Sequence, residues 1–241
     1  MTSFTICKAT LKDASMLAKI SGDSFKADSN TQLKYGHDYP RAFTSGMKEG
    51  IVMWIKNPRC DLLKAVDNNS GEIMGWACWA RRGYVVEEKP AQQDSDDDED
   101  IVEEQTEESP ISTVLSPEAA ESIGRLESLT SDDMEKWQAV LMPEGAKARY
   151  VIAINISPSY QSRGVGSALL KWGTSKADED GVFCWVHASE AGQNAFEKAG
   201  FKEIGKLQVN LDEYAGGRKN GDGGDWGSYT FRYMKRDAKE K

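Results

Sequence analysis

The segment Gln161-Ser162-Arg163-Gly164-Val165-Gly166 has the residue types of a loop that binds phosphate groups. Glycine lets the backbone approach a ligand closely, and free backbone N–H groups attract anions. The dinucleotide fingerprint is excluded because Leu169 stands where it needs Gly or Ala, and the P-loop is excluded because Gly166-Ser167-Ala168 lacks its lysine. Taken alone, the two glycines could also serve a turn or close helix packing.

The residues on either side predict a strand before this loop and a helix after it. Tyr150 to Ile156 is a short apolar run rich in β-branched residues, which is typical of a buried strand. From Val165 to about Glu179, apolar residues recur at steps of three and four, which indicates an amphipathic helix packed on a sheet. A strand, a loop and a helix N-terminus together present free N–H groups and a positive dipole end, the physical requirement for holding phosphates.

The pattern Ile156-x-Pro158-x-x-Gln161-x-x-Gly164-x-Gly166 resembles the acyl-CoA pyrophosphate loop of the GNAT N-acetyltransferase superfamily. Downstream, a strand at Gly181 to Val186 and a short helix from about Ala191 to Ala199, ending at Gly200-Phe201, look like the last strand–helix unit of that family. Within the superfamily the chain resembles small fungal-type proteins. The resemblance implies an α/β fold with a single mixed, mostly antiparallel sheet, flanked by helices and splayed around a central acyl-CoA cleft.

The resemblance also implies an activity, which is transfer of an acetyl group from acetyl-CoA to a primary amine of a small molecule or peptide by direct attack. Acetyl-CoA would be the cosubstrate, and no metal is expected. Arg163 could instead be a plain loop cation, and Ser189 could simply cap the next helix. The residues expected to hold the cofactor are Ile156, Gln161, Ser162, Arg163, Gly164, Val165, Gly166, Ser167 and Ser189.

For catalysis the resemblance places the backbone N–H of Ile154 or Ile156 at the thioester oxygen, where it would stabilise developing negative charge. His187 is the candidate base, and its alternative role is a hydrogen-bonded histidine of a half-buried sheet. Phe196 stands where the family often has the tyrosine that protonates the leaving thiolate. A phenyl ring cannot donate a proton, so the alternative function is an acyl-CoA-binding regulatory or interaction protein with little or no turnover.

Composition predicts one domain over residues 1–241, with an acidic insertion at 84–115, extra helices at 116–143 and the strongest motifs at 150–201. Tyr84 to Pro110 carries 12 acidic residues and one lysine, whereas the whole chain has a net charge of −9. Such a block cannot bury enough apolar surface to order itself. It is predicted to be a disordered excursion, which serves either as a solubilising linker or as an arm, Glu87 to Glu108, for a basic protein partner.

The remaining segments predict a strand at Ser3 to Ala9, a helix from Leu11 and a polar loop from Lys26 to Tyr39. In that loop His37 is expected to be solvated, and its alternative role is catalytic. A helix from Pro40 to Lys56 and a hairpin follow, and the extra helices are expected to be two, starting at Ser116 and Thr130. A half-buried strand at Leu207 to Asp212, a mobile glycine-rich loop and a closing strand end the domain.

Four cysteines without Cys-x-x-Cys spacing predict buried thiols rather than zinc ligands or disulfides. The acidic balance disfavours direct nucleic-acid binding, and the lack of a long apolar run disfavours a membrane-spanning protein. A cytoplasmic or nuclear location is expected. The acceptor and the oligomeric state are left open.

Overall fold

The structure, a computed structural model, describes residues 3–85 and 115–239 as a seven-stranded sheet with helices on both faces. The strands are β1 Phe4–Lys8, β2 Cys60–Asp67, β3 Ile73–Arg82, β4 Ala148–Ile156, β5 Phe183–Ala188, β6 Lys202–Asn210 and β7 Ser228–Arg236. The α-helices are α1 Ala14–Phe25, α2 Ser29–Tyr35, α3 Arg41–Lys56, α4 Pro117–Leu141, α5 Val165–Asp180 and α6 Gln193–Lys198. The acidic arm Glu87 to Glu108 lies outside the described residues.

The strand order is β1-β2-β3-β4-β5-β7-β6, and each neighbouring pair is antiparallel except β4 and β5, which are parallel. The predicted mixed, mostly antiparallel sheet is therefore confirmed. The parallel pairing is short, because it runs only from Ala148 opposite Phe183 to Val151 opposite Val186. Beyond Val151 the strand β4 continues to Ile156 without a partner in β5, and we call this gap the β4–β5 split.

A β-bulge in β4 lies directly at the start of the split. Cys78 and Trp79 are consecutive in β3, but their partners are Ala153 and Val151, so Ile152 is the extra residue. A bulge bends its strand and increases its local twist. The bend therefore accounts for the separation of β4 from β5 at this point.

Two layers of helices cover the sheet. Helices α5 and α6 cover one face, where the Trp79 indole packs on α5 and donates from Nε1 to the Leu169 carbonyl at 3.3 Å. A Cβ at Gly173 would lie 2.0 Å from Trp79, so only glycine permits this approach of helix to sheet. On the other face Trp76 packs under α1 and α3 and donates to the Leu17 carbonyl at 2.9 Å.

The two helices expected after the insertion are one continuous helix, so that prediction was wrong. Ser116 caps α4 as predicted, because its hydroxyl accepts a hydrogen bond from the Ala119 N–H at 3.2 Å. The second expected start at Thr130 lies inside the helix. Thr130 donates back to the Glu127 carbonyl, and Asp133 accepts from the Tyr233 hydroxyl at 2.8 Å, so contacts with the sheet outweigh local capping there.

The segment from Lys26 to Tyr39 was expected to be a polar loop, but it contains α2 and a short 3₁₀ helix at Gly36–Asp38. Asp28 caps α2 by accepting from the Thr31 N–H at 2.8 Å and also accepts from the Tyr229 hydroxyl. Leu33 is fully buried, and His37 is half-buried rather than solvated. A short polar helix with so few apolar residues carries no periodic signal, which explains the error.

Candidate active site

The loop at 161–167 joins β4 to α5 and exposes its backbone N–H groups. Ser162 and Gly164 have φ values of 60° and 86°, and Ser162 is the sole non-glycine residue with positive φ in the described part of the chain. Backbone strain of this kind clusters at functional sites. The first hydrogen bond of α5 comes from Ala168, whose N–H donates to the Gly164 carbonyl at 3.0 Å.

Ahead of Ala168, the N–H groups of residues 162–167 are without a backbone acceptor in the described residues, as expected for a helix N-terminus and the loop before it. Loop residues Gln161 to Gly164 are exposed. A Cβ built at Gly166 would meet Ile156 only at an ordinary 3.5 Å, and one at Gly164 would meet nothing within 4 Å. The loop therefore offers an accessible row of donors that fits an anionic group such as a pyrophosphate.

The side chains of the loop hold its shape. Gln161 donates from Nε2 to the Ile156 carbonyl at 3.2 Å, which ties the loop to the end of β4. The Arg163 guanidinium lies 5.4 Å from the centre of the Tyr160 ring and is open to solvent. Val165 is buried in the core under α5, and Ser167 is exposed in the first turn of that helix.

The hydrogen-bond pattern of β4 directs two amides toward the split. The Ser157 N–H donates to Met74 of β3 at 3.0 Å, so the alternation of an antiparallel ladder also turns the Asn155 N–H toward β3. The N–H groups of Ile154 and Ile156 consequently point away from β3, to the side where β5 has separated. The Ile156 carbonyl points the same way and accepts from the Ser24 hydroxyl at 3.0 Å.

A basic groove of about 620 Å³ continues from the loop along α5, and we call it the α5 groove. It begins at Ser167 and ends near the ion pair of the buried Arg236 with the half-buried Asp178, whose N···O distance is 2.8 Å. Hydrogen bonds from Arg236 hold the pKa of Asp178 below its usual range. Of the lysines that line the groove, Lys235 pairs with Asp237 at 2.7 Å. Within the described residues, no carboxylate pairs with the other four, which are Lys171, Lys198, Lys202 and Lys239.

His187 is the first residue of β5 beyond the pairing with β4, so it lies at the edge of the split. Its ring stacks on Phe231 and Tyr233, with centroid distances of 5.3 and 4.7 Å, and its Nε2 is buried without a partner in the described residues. Burial lowers the pKa of His187 to about 4, and the opposing charge of Asp133 is the smaller influence. The imidazole is therefore neutral at physiological pH.

His187 also lines a cavity of about 460 Å³ between the sheet, α2 and α4, which we call the His187 cavity. Its lining includes Asn30, Lys34, Glu135, Gln138 and Phe231. Sequence reasoning missed the contributions of α2 and α4, because both helices lie in segments that were assigned to a loop or to an insertion. The available signal was Asp28 as an N-cap for α2.

Three further positions refine the sequence-based hypotheses. Phe196 is 3% exposed, and its ring packs edge-on against that of Phe201 with the ring centroids 5.5 Å apart. Ser189 occupies the N-cap position of a short 3₁₀ turn, but its side chain makes no capping hydrogen bond there. Asn155, which the sequence did not single out, is 2% exposed, and neither polar atom of its side chain has a partner in the described residues.

Over residues 3–85 and 115–239, no group of His, Cys, Asp and Glu side chains is arranged to hold a metal ion. Within the same residues, no helix is long and apolar enough to cross a membrane.

Comparison with known proteins places residues 103–211 in a family model described as an acetyltransferase (GNAT) domain. No curated protein matches the sequence significantly. Among solved structures, arylalkylamine N-acetyltransferase 2 from Aedes aegypti is similar at 11% identity over 98% of this chain and 100% of that chain, with a TM-score of 0.58. A polyamine N-acetyltransferase from Drosophila melanogaster is 10% identical over 98% and 100% of the two chains, with a TM-score of 0.57. An N-acetyltransferase from Staphylococcus aureus is 15% identical over 99% and 100%, with a TM-score of 0.51. At these identities the likeness to solved structures is one of fold.

Proposed function

We propose that this chain, which carries a GNAT acetyltransferase domain, transfers an acetyl group from acetyl-CoA to a primary amine of a small molecule or peptide. Acetyl-CoA is the donor that this domain family uses. The single observation that carries the proposal is the β4–β5 split, which opens beside the row of N–H donors at 162–167. Acetyl-CoA is a long molecule with a pyrophosphate in its middle and a thioester at one end. It would need the N–H donors for the pyrophosphate and, next to them, the split for the arm that ends in the thioester.

The donor would be held in three parts. The N–H groups of residues 162–167 would bind the pyrophosphate, assisted by the positive end of the α5 dipole. The α5 groove, with its unpaired lysines beginning four residues after Ser167, would take the phosphorylated adenosine end. The pantetheine arm would lie in the split, where β4 and β5 leave backbone groups free to hydrogen-bond with its amides.

The chemistry would be a direct displacement. The amine nitrogen attacks the thioester carbonyl carbon, a C–N bond forms, and the C–S bond breaks to release the CoA thiolate. An ammonium substrate thus gives the amide, the CoA thiol and one proton released to water. The free N–H of Ile154 or Ile156 would stabilise the oxyanion of the tetrahedral intermediate.

The reaction must remove a proton from the attacking amine and supply one to the leaving thiolate. His187 is neutral near pH 7, so one ring nitrogen can accept a hydrogen bond from the attacking amine. Phe196 can donate no proton to the leaving group. A thiol has a pKa of about 8 to 9, so the CoA sulfur can leave as a thiolate and take its proton from water.

One observation favours a second function, that of an acyl-CoA-binding protein with little turnover. Phe196 sits in an apolar cluster with Phe201, and a phenyl ring stands where the family often has a tyrosine hydroxyl. An enzyme that needed a general acid there would be impaired. The two functions share the donor site and differ only in transfer.

A transfer assay separates the two functions. We expect purified protein to release CoA thiol and to form acetylated amine in equal amounts, above the rate without protein, for at least one amine of a broad panel. Phe196→Tyr should change this rate less than about tenfold, because the displacement does not depend on a tyrosine acid. Phe201→Tyr adds the same hydroxyl to the neighbouring ring and is the matched control.

Two results together would reject transferase activity for this protein. The wild-type protein would bind acetyl-CoA without acetylating any amine, and activity would appear in Phe196→Tyr but not in Phe201→Tyr.

A further inference from the structure

The His187 cavity lies over β5 and β7 on the face of the sheet opposite α5, and it meets the edge of the β4–β5 split at His187. Its floor is formed by His187 and Phe231, its walls by α2 and α4. Val186 is the last β5 residue paired with β4, and its side chain belongs to the core under α5. Since side chains alternate along a strand, His187 projects to the other face. A molecule in the cavity would therefore approach the split from the side opposite the α5 groove.

Two buried polar atoms at this cavity are without partners in the described residues, namely Asn30 Oδ1 and His187 Nε2. Buried polar atoms in folded proteins are almost always hydrogen-bonded, so each such atom points to a ligand or to ordered water. The amide oxygen of Asn30 is a hydrogen-bond acceptor, and a neutral imidazole offers one acceptor nitrogen. A ligand that satisfies these two atoms must therefore supply hydrogen-bond donors.

The charged groups at the cavity point to the same kind of ligand. Lys34 is already paired with Glu127, with Nζ and Oε1 2.9 Å apart. Asp133 accepts the Tyr233 hydroxyl at 2.8 Å. The carboxylate of Glu135, an exposed residue at the rim of the cavity, has no ion-pair or hydrogen-bond partner in the described residues. The unpartnered groups at the cavity are therefore the two buried atoms of Asn30 and His187 and the carboxylate of Glu135.

We propose that the His187 cavity binds the acceptor and selects a small diamine, that is, a primary amine with a second cationic nitrogen a few carbons away. This inference rests on the proposed function, because it names the acceptor of the same site. The reacting amine lies at His187, at the edge of the split, and the second ammonium group lies toward Glu135. A cavity of about 460 Å³ is within the size range of small-molecule sites.

The test is a binding experiment that does not depend on turnover. The protein is saturated with CoA, which has no acetyl group to transfer, and is titrated calorimetrically with 1,4-diaminobutane, butylamine or 4-aminobutyrate. These ligands have chains of similar length that end in a cation, a methyl group or an anion. We expect the diamine to bind most tightly, at least about fivefold better than butylamine, and 4-aminobutyrate to bind most weakly.

Substitutions on α4 test whether Glu135 causes the preference for the diamine over butylamine. Glu135→Gln keeps the shape of the side chain and should remove the preference for the diamine over butylamine. Glu121→Gln makes the same change of charge at an exposed position of α4 outside the cavity, and it should keep the wild-type preference.

Equal affinity for the three ligands, or a preference unchanged by Glu135→Gln, would overturn the diamine proposal even if the transfer assay succeeds. Selective diamine binding without acetyl transfer would support the cavity assignment and refute the proposed function. The two proposals can therefore fail separately.

Discussion

Gly166→Asp should abolish measurable acetyl-CoA binding and leave the protein folded. Gly166 is the second residue of α5, and a Cβ there would meet only Ile156, at 3.5 Å. A carboxylate in the first turn interacts favourably with the helix dipole, by about 0.3 to 1 kcal/mol. The same carboxylate would occupy the place proposed for the pyrophosphate, and like charges about 4 Å apart near a protein surface repel by roughly 4 kcal/mol. We expect the calorimetric affinity for acetyl-CoA to fall at least about 100-fold.

The matched control is Gly124→Asp, at an exposed position of α4 where an added Cβ would have open space around it. It makes the same change in the same kind of element and should keep the wild-type affinity. If Gly166→Asp had an unchanged melting temperature and an unchanged affinity for acetyl-CoA, the donor would have to bind elsewhere.

Replacing His187 should change how stability depends on pH. Burial lowers the pKa of this imidazole to about 4 in the folded protein, whereas an unfolded histidine has a pKa of about 6.5. The unfolded chain therefore binds more protons between these values, and the stability contributed by neutral His187 is lost as pH falls from about 7 toward 4. From pH 7 to pH 5 this loss amounts to about 2 kcal/mol. His187→Gln cannot titrate and should lack that part of the dependence in urea unfolding.

His37→Gln, at the one other histidine of the chain, is the comparison for losing an imidazole away from the cavity. The pH dependence specific to His187 is the difference between the free energies of unfolding of His187→Gln and His37→Gln, followed from pH 7 to pH 5. Parallel curves for wild-type protein and His187→Gln would show that the ring is solvated in the folded protein, and its place in the cavity would then be wrong.

The local features of the site could be predicted from the sequence because they depend on neighbours along the chain. The apolar run ending at Ile156, the glycines at 164 and 166 and the helical periodicity after Val165 lie within one strand–loop–helix unit. Their geometry follows from backbone preferences within about twenty residues. The strands of the hairpin, β2 and β3, were predictable for the same reason.

The rest depends on contacts between distant segments. The split is set by the bulge at Ile152 and by the register of β4 against β3 and β5, which no local pattern encodes. Helix α4 runs through the polar segment at Thr130 because Asp133 and Trp137 contact Tyr233, about a hundred residues later. Such tertiary contacts override local capping signals, so the cavity that they enclose was not visible in the sequence.

The measurement that tests the account most directly is amide hydrogen exchange, followed residue by residue by NMR with and without acetyl-CoA. We predict that the N–H groups of residues 162–167, together with at least one of Ile154 and Ile156, become strongly protected when acetyl-CoA is added. The Asn155 N–H, which points toward β3, should change little and serves as the internal reference. Protection confined to other parts of the chain, with exchange at these amides unaltered, would contradict the assignment of the loop and the split as the donor site.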